Sequence, residues 1–217
     1  EVAQLQKIFQ HPKRPLVAIL GGAKMSTKMP LIRRFLKEAD TVLVGGAIAK
    51  TIFYMQGFEV GESIVEKNAD EIIKSSTIRD KKLHLPIDVV VTTALENERV
   101  PVMNMRHVHD VRTDEVIADI GTETTNRFID ILKTAGTVVW NGPLGFTEIP
   151  AFAKGTRQVL QALSKTHAFV VIGGGDTVSA VQKLRFMNEF NHISTGGGAM
   201  LEFLSGKKLP GLEVLRK

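Results

Sequence analysis

Short aliphatic runs alternate along this chain with longer segments of helical period, and that alternation constrains the fold more than any other feature. It specifies βαβ units around a parallel sheet with both faces covered. The runs Leu16–Leu20, Thr41–Val44, Val89–Thr92, Thr137–Trp140, Phe169–Ile172 and a short one near His192–Ser194 read as core strands. Together they predict one doubly wound, Rossmann-like α/β domain with a mainly parallel sheet of about six strands and helices on both faces. The helices are expected at Thr27–Glu38, Ala47–Met55, Glu66–Thr77, Glu123–Thr134, Ala151–Ser164, Thr177–Arg185 and Ala199–Leu204. A further helical stretch carrying Val2, Leu5, Ile8 and Phe9 opens at Glu1 with no initiator Met, which reads as a chain cut from a longer one. Asn97–Glu115, where Pro101 and charges interrupt short apolar runs, reads as an excursion of hairpins or irregular structure. With 217 residues and 43% hydrophobic content, residues 1–217 can bury a sizeable core as a single domain.

Composition narrows the function classes. The chain has no cysteine, hence no disulfide framework, thiolate metal site or cysteine nucleophile, and the cytoplasm is its expected compartment. Its longest apolar runs fall far short of the ~20 residues a bilayer span requires, and nothing resembles a signal peptide, so no membrane partner is expected. A net charge of +5 comes from scattered basic residues, and Trp140 and Tyr54 are its single Trp and Tyr. That favours anionic small molecules over nucleic acid.

In open parallel sheets ligands bind outside the carboxyl ends of the strands, so the residues after each strand carry the functional signal. Five of the six expected strand ends open into turns of small residues: Gly21-Gly22-Ala23, Gly45-Gly46-Ala47, Asn141-Gly142-Pro143, Gly173-Gly174-Gly175 and Gly196-Gly197-Gly198. Glycine there permits positive φ and removes the Cβ that would hold a ligand off, and the following helix offers unpaired N–H groups, a combination suited to phosphate. Any one such turn is also a plain solution to a tight reversal of the chain. Neither a Walker A sequence nor a GxGxxG fingerprint is present, which counts against a dehydrogenase.

Several side chains accompany the turns. Lys24 and Lys28, at i and i+4, would put two ammonium groups at the mouth of the first turn, either neutralising a transferring phosphate or forming a solvated basic face with Arg33, Arg34 and Lys37. Asp176 is a candidate for a helix N-cap and equally for a magnesium ligand shared with phosphate oxygens. Glu148 could accept hydrogen bonds from a ribose. His107 and His109 lack a convincing third ligand for zinc.

Taken together, Arg14-Pro15-Leu16-Val17-Ala18-Ile19-Leu20-Gly21-Gly22-Ala23-Lys24, Trp140-Asn141-Gly142-Pro143-Leu144-Gly145, Gly173-Gly174-Gly175-Asp176-Thr177 and His192-Ile193-Ser194-Thr195-Gly196-Gly197-Gly198-Ala199 resemble phosphoglycerate kinase. The resemblance spans nearly the whole chain in the right order. It implies a two-lobed monomer of which only the C-terminal, nucleotide-binding lobe is present, with Mg²⁺ and ATP or ADP as ligands and 3-phosphoglycerate bound by an N-terminal lobe outside this chain. It further implies that Lys24 and Lys28 stabilise the transferring phosphoryl group with Gly175 and Gly197, and that Asp176 attends magnesium and Thr177 phosphate. By the same resemblance Gly22, Ala23, Gly46, Ala47, Ala118, Asn141, Pro143 and Glu148 surround adenosine, while Gly174, Gly175 and Gly197 line the phosphate path. Three departures stand out: Thr27 where many relatives carry Asp, Ala47 in place of a frequent Gly, and Gly145-Phe146-Thr147-Glu148 in place of Gly-Val-Phe-Glu. The family's catalytic arginine belongs to the other lobe, so this chain alone is expected to bind nucleotide without efficient turnover. The alternative is a standalone nucleotide-sensing or interaction module.

Overall fold

The computed structural model describes residues 1–72, 74–95 and 102–215. In chain order the first elements are α1 (Val2–Gln10), β1 (Leu16–Leu20), α2 (Met25–Glu38), β2 (Thr41–Val44), α3 (Gly46–Met55), α4 (Ala69–Ile72), α5 (Ser75–Ile78) and β3 (Leu83–His84). There follow β4 (Asp88–Thr92), β5 (Met103–His107), β6 (Val116–Ile120), α6 (Thr122–Lys133), β7 (Thr137–Asn141) and α7 (Lys154–Leu163). The last are β8 (Phe169–Gly173), α8 (Gly175–Lys183), β9 (His192–Ile193), α9 (Gly197–Ser205) and α10 (Pro210–Leu215).

All five residues of β1 are buried, as they must be in a strand covered on both faces. Its alternate side chains serve two cores. Leu16, Ala18 and Leu20 pack with Ile8, Phe35, Ile52 and Leu204 from α1, α2, α3 and α9. Val17 and Ile19 pack with Phe128, Val159 and Val181 from α6, α7 and α8. Burying each large aliphatic side chain contributes roughly 1.5–3 kcal/mol, so two dense layers hold the strand ends fixed. This is the expected doubly wound α/β architecture.

The main sheet has six strands, all parallel, in the order β3-β2-β1-β7-β8-β9. Its membership corrects the sequence reading at one place. The run at Val89–Thr92 lies in β4, the centre of a separate three-stranded antiparallel sheet ordered β5-β4-β6, while the sixth parallel strand is the two-residue β3. A Val-Val-Val run carries no period that distinguishes the two sheets, and two residues are too few to show as an apolar run. The helix expected over Glu66–Thr77 is two short ones, α4 and α5, and α10 was not anticipated. Part of the Asn97–Glu115 excursion lies outside the described residues; the rest includes β5 and a 3₁₀ turn at Val108–Asp110.

The order reverses between β1 and β7. From β1 the chain runs outward to β2 and β3, and after the small sheet it returns to β7 on the other side of β1. The carboxyl ends of β1 and β7 therefore flank the topological switch point, the crevice in which open α/β sheets bind ligands.

Candidate functional site

At the switch point three turns are laced together by backbone hydrogen bonds. Gly21 N–H donates to Asn141 O (2.9 Å), Gly22 N–H to Pro143 O (2.9 Å), Gly46 N–H to Leu144 O (3.0 Å) and Ala47 N–H to Gly22 O (2.9 Å). Such close approach leaves no room for side chains. A Cβ on Gly142, where φ is 94°, would run into the Gly21 backbone, and one on Gly46 would sit 2.7 Å from Gly22 N. These glycines are required by the fold itself.

Other glycines at the same edge are not. A Cβ on Gly175 or Gly198 would meet nothing within 4 Å, although both residues line a cleft of about 410 Å³ at the N-termini of α8 and α9. Neither helix has a side-chain cap, so their first N–H groups stand free at the cleft. Gly197, also without a neighbour within 4 Å of its Cβ position, and Gly174 line it too.

Polar side chains converge on that cleft. Asn141 is fully buried there, and neither its amide nitrogen nor its oxygen has a hydrogen-bond partner among the described residues. A buried polar group left unpaired costs about 1–3 kcal/mol, and a ligand would relieve that cost. Lys28 lies 9% exposed with no hydrogen bond or ion pair to a described residue. Burial lowers its pKa to about 8, with the Asp176 carboxylate pulling the other way. Lys24 lines the same cleft from an extended N-cap position outside α2, so the pair is not formed by helical i, i+4 spacing. The start of α2 already has an anion: Glu66 accepts from Ser26 N–H and Ser26 Oγ, both at 2.8 Å. Thr27 turns its hydroxyl to Lys24 O (3.0 Å).

Asp176 is exposed in the first turn of α8 and makes no capping bond, so the purely structural role open to it in sequence is not used. Thr177 is buried, and its Oγ1 accepts from Gly142 N–H at 2.6 Å, which leaves the hydroxyl proton available to a ligand. Among the described residues no group of three or more His, Asp or Glu side chains could hold a metal. A lone carboxylate beside this cleft instead fits Mg²⁺, which takes one or two carboxylates and completes its shell with phosphate oxygens and water. The His107 and His109 rings stack on one another at 5.5 Å, with Phe58 against the second at 4.5 Å.

A second cleft, of about 140 Å³ and mostly apolar, adjoins the first; Gly22, Ala23 and Asp176 line both. Gly46, Ala47, Ala118, Pro143 and Glu148 line it as well, so every residue that the family resemblance assigned to the nucleotide site borders one cleft or the other. Its walls are α3, the small sheet, and the loop after β7, which is anchored by Phe146 N–H donating to Ala118 O at 2.9 Å. Two of its charged residues were not foreseen. Lys50, 4% exposed, donates from Nζ to Ile117 O at 3.3 Å and sits 4.6 Å from the centre of the Phe146 ring; burial lowers its pKa to about 8. Asp119 accepts from Ile120 N–H (2.9 Å) and Gly155 N–H (2.8 Å), and burial, only partly offset by those bonds, raises it to about 7. The available signal for Lys50 was a lone cation inside the apolar run Ala47-Ile48-Ala49-Lys50-Thr51-Ile52-Phe53.

The Glu1 carboxylate accepts from Thr195 N–H (2.9 Å) and Ser194 Oγ (3.0 Å) and lies 3.0 Å from His192 Nε2, tying the start of α1 to the connection that leads into α9.

Comparison with known proteins places this geometry. The profile of the phosphoglycerate kinase family matches residues 1–207. The chain is 39% identical over 221 residues to a phosphoglycerate kinase of Francisella tularensis subsp. novicida, covering 100% of this chain and 56% of that protein. It is 43% identical to one of Bdellovibrio bacteriovorus, of which it covers 54%. Among solved structures, phosphoglycerate kinase from Coxiella burnetii superposes with a TM-score of 0.91 at 37% identity, over 99% of this chain and 56% of that one. The enzyme from Pyrococcus horikoshii superposes with a TM-score of 0.83 at 30% identity, over 99% and 55%. The chain thus spans about half the length of the relatives it matches.

Proposed function

The chain belongs to the phosphoglycerate kinase family, and from that premise we propose that it is the nucleotide-binding half of such an enzyme. The reaction is reversible phosphoryl transfer between 1,3-bisphosphoglycerate with ADP and 3-phosphoglycerate with ATP, a glycolytic step carried out in the cytoplasm. Among the described residues no helix is long and apolar enough to cross a membrane. The observation that supports the reading best is the empty space over Gly175 and Gly198, beside an unpaired buried Asn141 and an unpaired Lys28. Nothing in the protein requires glycine at those two positions, so the missing side chains leave room for a ligand, and the surrounding donors make it an anionic one.

In this reading the nucleoside lies in the apolar cleft against Gly22, Ala23, Gly46, Ala47, Ala118 and Pro143, with Glu148 accepting from the ribose hydroxyls. The phosphates run past Gly174 into the larger cleft. There Asn141 and the Thr177 hydroxyl donate to phosphate oxygens, and the free N–H groups at Gly175 and Gly197 face the group in flight. Lys28, with Lys24 at the rim, neutralises charge on that group. Asp176 is the residue that would hold Mg²⁺, which supplies charge neutralisation and orientation of the phosphate oxygens. Phosphoryl transfer asks for positioning and electrostatic neutralisation rather than covalent participation, and these side chains offer both.

One half cannot complete the reaction. Holding donor and acceptor in line supplies on the order of 7–11 kcal/mol of barrier reduction in well-oriented systems, and the glycerate would be held by a separate N-terminal lobe. Closure of the two lobes would expel water and strengthen these contacts. The test is to assay the 217-residue chain with and without a matching N-terminal lobe, then again with Lys28→Met. Nucleotide binding without turnover by the chain alone is expected, with rescue by the lobe and loss of rescue in the variant. Full turnover by the isolated chain would contradict the proposal, and rescue indifferent to Lys28→Met would remove that lysine from the reaction.

A further inference from the structure

Asp119 is the buried carboxylate of the apolar cleft, and it ties together the pieces of chain that form one of its walls. It lies 2% exposed on β6, beside an irregularity in the small sheet: Val91 of β4 pairs with Ile117 and Val90 with Asp119, which leaves Ala118 as the extra residue of a β-bulge. Bulges re-aim side chains and release backbone groups from the ladder. Here Ile117, Ala118, Asp119 and Ile120 all border the cleft, where a regular strand would turn alternate residues away. The bulge is pinned from outside the sheet. Ile117 N–H donates to Ser63 Oγ (2.9 Å), Ile117 O accepts from Lys50 Nζ (3.3 Å) and Ala118 O accepts from Phe146 N–H (2.9 Å).

The Asp119 carboxylate supplies the remaining ties. One oxygen accepts from Ile120 N–H and the other from Gly155 N–H, at the start of a helix, α7, that has no side-chain cap of its own. A Cβ on Gly145 would collide with Asp119 Oδ1, so the loop after β7 passes directly against the same carboxylate before it brings Phe146 and Glu148 to the cleft. Both oxygens are engaged by the protein, so what this group does for the cleft it does through its neighbours. A carboxylate suits the place because both partners are donors; an amide would turn its own NH₂ toward one of them.

We propose that Asp119 is a positioning residue for the nucleoside: by fixing the β6 bulge, the loop over 145–148 and the start of α7 to one another, it shapes the nucleoside cleft without acting on the phosphate cleft. The inference rests on the nucleotide reading of the two clefts and holds whichever edge of the base faces inward. None of Ile117, Ala118, Ile120, Gly145, Phe146 and Glu148 lines the larger cleft, so a displaced wall is felt by the nucleoside alone.

The experiment compares Mg-ADP with Mg-pyrophosphate on the 217-residue chain at pH 8, above the value of about 7 to which burial raises the Asp119 carboxyl. Pyrophosphate offers the diphosphate contacts without the nucleoside. Calorimetry reads ADP, and amide shifts at Gly173 to Thr177 read pyrophosphate up to millimolar concentration. Asp119→Asn, with Asp119→Ser as a second variant, is checked for folding by circular dichroism and thermal denaturation. In each the Kd for Mg-ADP should rise about tenfold, while that for Mg-pyrophosphate stays within about twofold of the parent's. A merely structural carboxylate would lower the melting temperature and leave the folded variant binding both ligands as the parent does. That result overturns the assignment, as do equal losses of both ligands or the failure of both variants to fold. A parent that binds ADP but not pyrophosphate also overturns it, because the two clefts then do not contribute separately. If the parent binds both ligands and only the split fails, the nucleotide reading stands while the role of Asp119 falls. If the parent binds neither, both fall.

Discussion

The glycines that follow β2 and β7 and those at the start of α8 and α9 look alike in sequence and differ in what surrounds them. Gly142 and Gly46 sit where backbone passes against backbone, so the fold would exclude any side chain there whether or not a ligand ever bound. Gly175 and Gly198 face open cleft, with no protein atom within 4 Å of the Cβ position. The first set builds the rigid floor of the site, and the second set keeps its occupied volume clear. A glycine-rich edge is therefore two devices, and only the second reports on a ligand.

Substitution separates them. Gly142→Ala forces a Cβ into the Gly21 backbone at a φ of 94° and should cost more than about 4 kcal/mol, enough to unfold the chain or shift its denaturation midpoint drastically. Gly175→Ala, at the first position of α8, should leave stability unchanged or raise it by up to about 1 kcal/mol while cutting Mg-ADP affinity tenfold or more. Denaturation and calorimetry on both variants check the pair, and equal destabilisation by the two would erase the distinction.

Lys28→Met probes the occupied side of the comparison with a smaller effect. At pH 7 it should weaken Mg-ADP binding by about tenfold, the value of one charge-assisted contact near 1.4 kcal/mol. The sign of its pH dependence follows from the lowered pKa. Phosphate binds the protonated lysine, which in the free chain loses its proton around pH 8, so the advantage of parent over variant is full below that value and shrinks above it. A difference that grows with pH would contradict this. The same depression makes the unfolded chain bind more protons between about pH 8 and 10.5, so stability without ligand should rise across that window more in the parent than in Lys28→Met.

Asp176→Asn is the mildest change. Its side chain makes no capping bond, so stability should move by about 0.5 kcal/mol or less, while the strengthening of ADP binding by magnesium should fall severalfold. A magnesium response identical in variant and parent would leave Asp176 without a metal role.

Much of this was legible in the chain itself. The four long parallel strands announce themselves because strands buried on both faces must be continuous apolar runs, and glycine marks where each ends. The small sheet was harder. β6 carries Asp119 in mid-strand, where a carboxylate argues against a buried strand until its bonds to Ile120 and Gly155 N–H are seen. β5, Met-Asn-Met-Arg-His, alternates over only four residues and is mostly exposed, so it carries little apolar signal. Ala118 lies on β6, so nothing local could bring it to a site built from distant turns, and it entered through family resemblance alone. Lys50 was not singled out because sequence does not show that α3 is buried on the side where it sits. The distinction between the two sets of glycines depends on the space around each, which no run of letters contains.

The central claim is that the phosphates of a magnesium nucleotide lie across the carboxyl edge of the parallel sheet, over the free N-termini of α8 and α9. Recording backbone amide shifts while titrating Mg-ADP into the chain tests it most directly. The account predicts large perturbations at Gly173 to Thr177, Gly196 to Gly198 and Gly21 to Lys28, with β5 on the small sheet unmoved; shifts confined to Met103–His107 would contradict it.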